Sequence, residues 1–238
     1  LDDVYAARIS AAVLLAEVVR CLLTVRDEKI QRMESLLADL AASEDRIPLS
    51  TEQIIELIGQ HIKLKGTSRL PVLVVAAAYQ CASAYLGERI LPLHSHNAAD
   101  EQTGALGDLE ITLINDDRIV TCYEMKTRQV TIEDIERGLQ KIAHLERAVD
   151  NYIFITTDVI EEGVSKYAAS VYERTGGVEV VILDCLSFLR HFLHLFHRLR
   201  LIYLETYQQL LLAEPESAVS DSIKEVFLTL RKALESEA

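Results

Sequence analysis

Between Asp108 and Leu183 the chain alternates short apolar segments with stretches of helical period, and few folds accept that alternation. Residues 108–114 and 119–126 read as two strands joined by a short turn at Asn115-Asp116-Asp117. A helix is expected over about 131–149, with Thr131 as N-cap and Asp134 three residues on, a variant of the capping box. Tyr152-Ile153-Phe154-Ile155-Thr156 is a nearly continuous apolar run, as in a strand covered on both faces. A helix from about Glu161 to Arg174 stops at Gly176-Gly177, and Val178 to Leu183 reads as another buried strand. Strands interleaved with helices imply an α/β fold, with a mixed central sheet, parallel crossovers and helices on both faces.

The flanks are helical. Residues 1 to about 42 show helix-period apolar positions, with Val13, Leu14, Ala16, Val18, Leu22 and Leu23 on one face. Ser50 and Gln53 form a capping box for a helix running to about Lys65, closed by Gly66. A buried helix from Val72 to Leu86 ends at Gly87, and the chain from about Leu186 onward is helical with a break near Pro215. The organisation expected is a helical N-terminal region over 1–66, a core over 67–200 and C-terminal helices over 201–238.

Composition excludes several classes. Cys21, Cys81, Cys122 and Cys185 lack C-x-x-C spacing and sit among aliphatic residues, so they read as buried, reduced thiols of a cytoplasmic protein. The longest apolar run, Leu70 to Leu86, is broken by Tyr79, Gln80 and Ser83, so no membrane span is expected. No secretory signal opens the chain, which begins on Leu1 and is read as a piece of a longer protein. A net charge of −13 disfavours a protein that coats nucleic acid nonspecifically, while leaving room for a basic surface confined to one cleft.

The strand period decides which polar groups meet. Asp108 and Glu110 share one face of the first strand, and Glu124 and Lys126 share a face of the second. Paired as a hairpin, the strands bring Asp108, Glu124 and Lys126 to one sheet edge, with the Met125 carbonyl as a further oxygen ligand. Two carboxylates suit Mg²⁺, which prefers few protein ligands plus substrate phosphate, and Mn²⁺ can substitute. The ammonium beside them would stabilise charge developing on a phosphate. The alternative is a solvated hairpin whose charges face water.

Gly-Asp-x-Glu on one strand, Glu-x-Lys on the next and a helix thereafter resemble the PD-(D/E)XK nuclease superfamily, over about residues 70–185. Asp108, Glu124 and Lys126 match its motif position by position, while Leu106-Gly107 stands where the motif has its leading Pro. The resemblance implies a restriction-endonuclease-like core. It also implies a Mg²⁺-dependent endonuclease acting on double-stranded DNA and leaving 5′-phosphate and 3′-hydroxyl ends. Within the superfamily the chain resembles a type II restriction enzyme of the SacI-like kind. Such an enzyme is expected to be a homodimer that cuts both strands of a palindrome, with a companion methyltransferase.

Further candidates surround the motif. The resemblance offers Glu88 as an extra acid from the end of the preceding helix, and Gln140, with Lys141 beside it, as a polar group from the following one; the alternatives are a helix-end charge in water for Glu88 and an ordinary polar helix face for Gln140. Glu110 is placed as a second acid behind Asp108, or as a plain surface position. His94, His96 and Asn97 could contact DNA, or form a structural loop, and Arg128 offers a cation near a scissile phosphate. His191, His194 and His197 recur every third residue, which drifts around a helix and suits a solvated face better than a metal site. The alternatives to restriction cutting are a structure-specific repair or junction nuclease, a non-catalytic DNA-binding or assembly module on the same fold, and a helical interaction protein with an incidental hairpin.

Overall fold

The strands of the computed structural model form a single sheet among the described residues, which are 2–6, 8–42, 48–93, 105–144 and 149–237. Its members are β1 (Glu88–Ile90), β2 (Leu109–Leu113), β3 (Ile119–Lys126), β4 (Asn151–Thr156) and β5 (Glu179–Asp184), and they lie side by side in chain order. β2 runs antiparallel to both of its neighbours, β1 and β3, whereas β3, β4 and β5 are parallel. The expected α/β architecture with a mixed central sheet is therefore present. The parallel half needs crossovers, supplied by α5 (Ile132–His144) between β3 and β4 and by α6 (Glu162–Thr175) between β4 and β5.

The chain divides into two compact units, residues 48–224 and residues 1–47 with 225–238. The first holds the sheet. Its entry helix, α3 (Thr51–Ile62), starts on the expected box: Ser50 accepts from the Gln53 N–H while the Gln53 side chain accepts from the Ser50 N–H. α4 (Leu70–Leu86) carries Pro71 in its first turn, where a fixed φ favours the helix, and buries Leu70 through Ala78 without a gap. It ends on Gly87 in the left-handed region at φ 69°, a conformation glycine adopts without steric cost. That turn feeds β1. Two further helices, α7 (Cys185–Leu195) and α8 (Arg200–Ala213), pack with α3 and α4.

The two faces of the sheet carry different chemistry. On the α4 side the Tyr79 and Tyr123 hydroxyls are 2.9 Å apart, and Phe188 of α7 meets the Tyr123 ring edge-on at 6.3 Å. On the α5 and α6 side Cys122, Tyr152, Phe154 and Val180 join Leu106, Ile135, Ile142 and Val171 in one buried cluster.

In the second unit α2 (Ala11–Ala41) follows the short α1 (Asp2–Tyr5) and buries none of its side chains. Val13, Leu15, Leu22 and Val25 are among its exposed apolar residues. It shares ion pairs with α9 (Asp221–Glu237): Arg32 Nε meets Glu225 Oε1 at 3.0 Å and Lys232 Nζ meets Asp39 Oδ2 at 2.5 Å.

Three expectations need correction. Residues 88–90 form a strand where the sequence predicts none and sets Glu88 at the helix end; three residues are too few for a two-residue period to show, so only the partner β2 reveals it. The helix after β3 is described over Ile132–His144 and does not include Val149. All four cysteines are free, yet only Cys122 and Cys185 are buried: Cys81 is half-buried, and Cys21 is exposed because it rides on α2.

Candidate active site

The β2–β3 ladder sets the arrangement of the acidic groups. Leu109 pairs with Tyr123 and Glu110 with Cys122, so continuing that register by one residue sets Asp108 opposite Glu124. Directly opposed residues of an antiparallel pair share a face. That face is the α5 side, where Glu124, Lys126, Tyr152 and Thr156 also lie by the parallel register of β3 with β4.

Hydrogen bonds then fix the groups. Asp108 Oδ2 accepts from the backbone N–H of Met125 at 2.7 Å, which ties the first acid to the peptide between Glu124 and Lys126. Lys126 Nζ donates to Glu124 Oε1 at 2.7 Å. The opposite oxygen, Glu124 Oε2, faces Lys141 Nζ at 3.5 Å and the Tyr152 hydroxyl at 3.4 Å. The side chains of Glu124, Lys126 and Lys141 are 14%, 22% and 27% exposed, so the group is sheltered but reachable from solvent.

The Met125 backbone is turned towards Asp108. Along β3 the Val120 and Lys126 carbonyls accept from Asp150 and Thr157 on the β4 side. The alternate residue Met125 therefore presents its polar backbone atoms towards β2, where Asp108 takes the N–H.

Gly107 permits this proximity. A Cβ there would stand 2.6 Å from both Cys122 Sγ and the Tyr123 carbonyl oxygen. Gly138 does the same for α5, since a Cβ on it would meet Tyr152 Cε1 and Cζ at 3.0 Å. With both positions bare, β3 is approached closely by the Asp108 segment on one side and the helix bearing Lys141 on another.

The electrostatics follow from that crowding. Burial pushes the Cys122 thiol well above its usual range, and Glu124, Glu110 and Asp108 push the same way while Lys141 opposes them. Burial, and behind it Glu124, likewise raises the Tyr152 hydroxyl, which keeps it a donor.

The other candidates fall in different places. Glu110 is 6% exposed, on the Asp108 face, and accepts from the Leu106 N–H at 2.8 Å through Oε1. Glu88 opens β1 opposite Leu113, which puts it on the α4 face near Tyr79 and Tyr123 and away from Asp108. Burial raises its carboxyl pKa. Gln140 is exposed, and its neighbour Lys141 makes the contact with Glu124. Arg128 is held by Asp134 through two 2.8 Å bonds, and Arg137 joins the same carboxylate at 2.6 Å. His94, His96 and Asn97 lie outside the described residues. His191, His194 and His197 are exposed, with His194 Nε2 3.7 Å from Glu52.

Sequence reasoning missed Lys141 as a contact and Tyr152 altogether. A tyrosine in a run of apolar strand residues gives no polar signal; only the register with Cys122 turns its hydroxyl towards Glu124.

The donor set is one that a hard cation accepts. Among the described residues no group of three or more His, Cys, Asp and Glu side chains could hold a metal ion. Mg²⁺ does not need one, because it takes one or two carboxylates, keeps several waters and completes its shell with substrate phosphate. Asp108 and Glu124, with the Met125 carbonyl, are the oxygen groups here that could serve such an ion.

Residues 46–157, just under half of the chain, match the family model of the SacI restriction endonuclease C-terminal domain. The matched segment runs from the approach to α3 through β4 and holds every residue of the group around Glu124. No curated protein matches the chain. No helix among the described residues is long and apolar enough to cross a membrane.

Proposed function

We propose that this chain is a Mg²⁺-dependent endonuclease that hydrolyses phosphodiester bonds of double-stranded DNA, as a type II restriction enzyme. The observation that carries the reading is the 2.7 Å bond from the Met125 N–H to Asp108, beside the 2.7 Å Lys126–Glu124 pair on the same face of the sheet. The similarity of residues 46–157 to a restriction endonuclease domain supports it.

Asp108 and Glu124 would hold the cation, with the Met125 carbonyl. Bound there, Mg²⁺ would polarise the scissile phosphate and acidify the attacking water. Lys126 and Lys141, both directed at Glu124, place two ammonium groups where the phosphate's negative charge would arrive. Attack in line with the leaving 3′-oxygen yields a 5′-phosphate and a 3′-hydroxyl. Half-burial of the group limits the water that competes for these charges.

Cutting both strands of a palindrome calls for two such sites, and hence a homodimer. A companion methyltransferase would protect the host's own sites. The net charge of −13 disfavours nonspecific DNA coating and leaves room for cutting only where basic side chains are confined to one surface.

Supercoiled plasmid incubated with Mg²⁺ or with EDTA tests the reading. Discrete Mg²⁺-dependent fragments with 5′-phosphate ends are expected. Junction-selective cutting would indicate a repair nuclease, and DNA binding without cutting under any divalent cation would overturn the proposal.

A further inference from the structure

Leu106 is held from both ends of its backbone. Its N–H donates to Glu110 Oε1 at 2.8 Å, and its carbonyl accepts from the Tyr152 hydroxyl at 3.0 Å. The side chain is fully buried, and the next residue, Gly107, has no room for a Cβ. Asp108 follows at once. The backbone leading into Asp108 is therefore held by two side chains that come from different strands, β2 and β4.

Tyr152 has a second neighbour. The same hydroxyl that meets the Leu106 carbonyl stands 3.4 Å from Glu124 Oε2. A phenol carries one proton and can donate to one of these acceptors at a time. The shorter distance favours Leu106, so the contact to Glu124 is a spacing contact that fixes how near the carboxylate can come. The ring cannot retreat, because Gly138 of α5 backs onto it with no room for a methyl group.

We infer that Glu110 and Tyr152 are positioning residues: together they clamp the Leu106 peptide and so fix the separation of the Asp108 and Glu124 carboxylates. The inference rests on the endonuclease reading, for which that separation is the functional quantity. Glu110 then acts as a backbone acceptor rather than as a cation ligand. The difference is testable, because an amide oxygen replaces a carboxylate oxygen as acceptor but not as an anionic ligand.

Mn²⁺ binding to the full chain, read from the electron paramagnetic resonance signal of free Mn²⁺, provides a measure independent of turnover. Removing an outer partner of a metal ligand costs about tenfold or more in affinity, and Tyr152→Phe and Glu110→Leu are expected to lose at least that much. Glu110→Gln is expected to bind Mn²⁺ as the wild type does. In cleavage, Tyr152→Phe should raise the Mg²⁺ concentration for half-maximal rate while leaving KM for DNA unchanged.

Undiminished Mn²⁺ affinity in Tyr152→Phe overturns the clamp, and so does a Glu110→Gln variant as impaired as Asp108→Ala. If Tyr152→Phe fails to fold, the contrast between Glu110→Gln and Glu110→Leu decides alone. Wild-type protein that neither binds Mn²⁺ nor cuts DNA overturns the endonuclease reading and the clamp with it.

Discussion

Gly107 backs directly onto Tyr123: a Cβ added to the glycine would stand 2.6 Å from the Tyr123 carbonyl oxygen. Backbone cannot yield as a flexible side chain does, so Gly107→Ala must push β2 away from β3 or distort the peptide before Asp108. Overpacking of this kind costs about 1–3 kcal/mol. A lower urea midpoint is expected, together with a loss of cleavage larger than the loss of stability accounts for. Unchanged activity and stability would show that the strands separate here without consequence.

The two acids and the lysine should separate by readout. Asp108→Ala and Glu124→Ala are expected to abolish both Mn²⁺ binding and Mg²⁺-dependent cleavage. Lys126→Ala should lose about 10²-fold or more in cleavage rate, as for other groups that stabilise transition-state charge, while Mn²⁺ binding persists. Loss of Mn²⁺ binding in Lys126→Ala at intact fold would move the lysine from a charge-stabilising to a structural role.

His61 gives the fold a pH dependence of known sign. The fully buried ring accepts from or donates to the Tyr207 hydroxyl at Nδ1 (3.0 Å) and meets the Ile223 carbonyl at Nε2 (3.1 Å). A carbonyl only accepts, so the neutral ring carries its proton on Nε2. Burial lowers the pKa from its ordinary value to about 4, with the Ile223 carbonyl acting the other way. The unfolded chain therefore binds a proton below about pH 6.5 that the folded chain does not, and stability falls as pH drops from there towards the folded value. A shift of that size corresponds to about 3 kcal/mol. Urea unfolding between pH 7.5 and pH 4.5 should show it, and His61→Gln should flatten the slope.

Asp134 acts lower on the pH scale. Burial would raise its carboxyl, but hydrogen bonds from Arg128 and Thr131 outweigh it and leave the group well below the usual carboxylate range. Its stabilising contribution is complete above the unfolded pKa of about 3.9 and is lost as pH falls through the folded value. The carboxylate accepts from the Thr131 N–H at 3.0 Å while Thr131 Oγ1 accepts from the Asp134 N–H at 3.2 Å, closing the capping box. Asp134→Ala should cost about 1–2 kcal/mol at neutral pH, as cap removals do, measured by urea denaturation.

Strand period and the glycine-acid spacing were enough to place Asp108, Glu124 and Lys126 on one sheet face, because those signals are local. The capping boxes at Ser50 and Thr131 were legible for the same reason. What could not be read depends on contacts across the chain. Tyr152 and Lys141 reach Glu124 from β4 and α5, and neither position differs in pattern from an ordinary strand or helix residue. The face Glu88 occupies was not legible, because β1 is too short to announce itself and only the pairing with Leu113 sets the side chain on the face opposite Asp108. The exposed face of α2 shows the limit of periodicity: it marks which side of a helix is apolar, not whether anything covers it.

The turn between β2 and β3 sits at the far end of the strands from Asp108, and residues 113–118 are all exposed. Six residues at about 3.4 Å each put some 20 Å between it and the carboxylates. Its ion pairs, Arg89 with Asp117 and Arg118 with Asp150, are solvated and worth little. A fluorophore or short epitope inserted between Asp116 and Asp117 would ride on the β2–β3 hairpin without disturbing the residues around Glu124. Such a handle could follow the approach of a labelled oligonucleotide by energy transfer, in protein whose chemistry is otherwise intact.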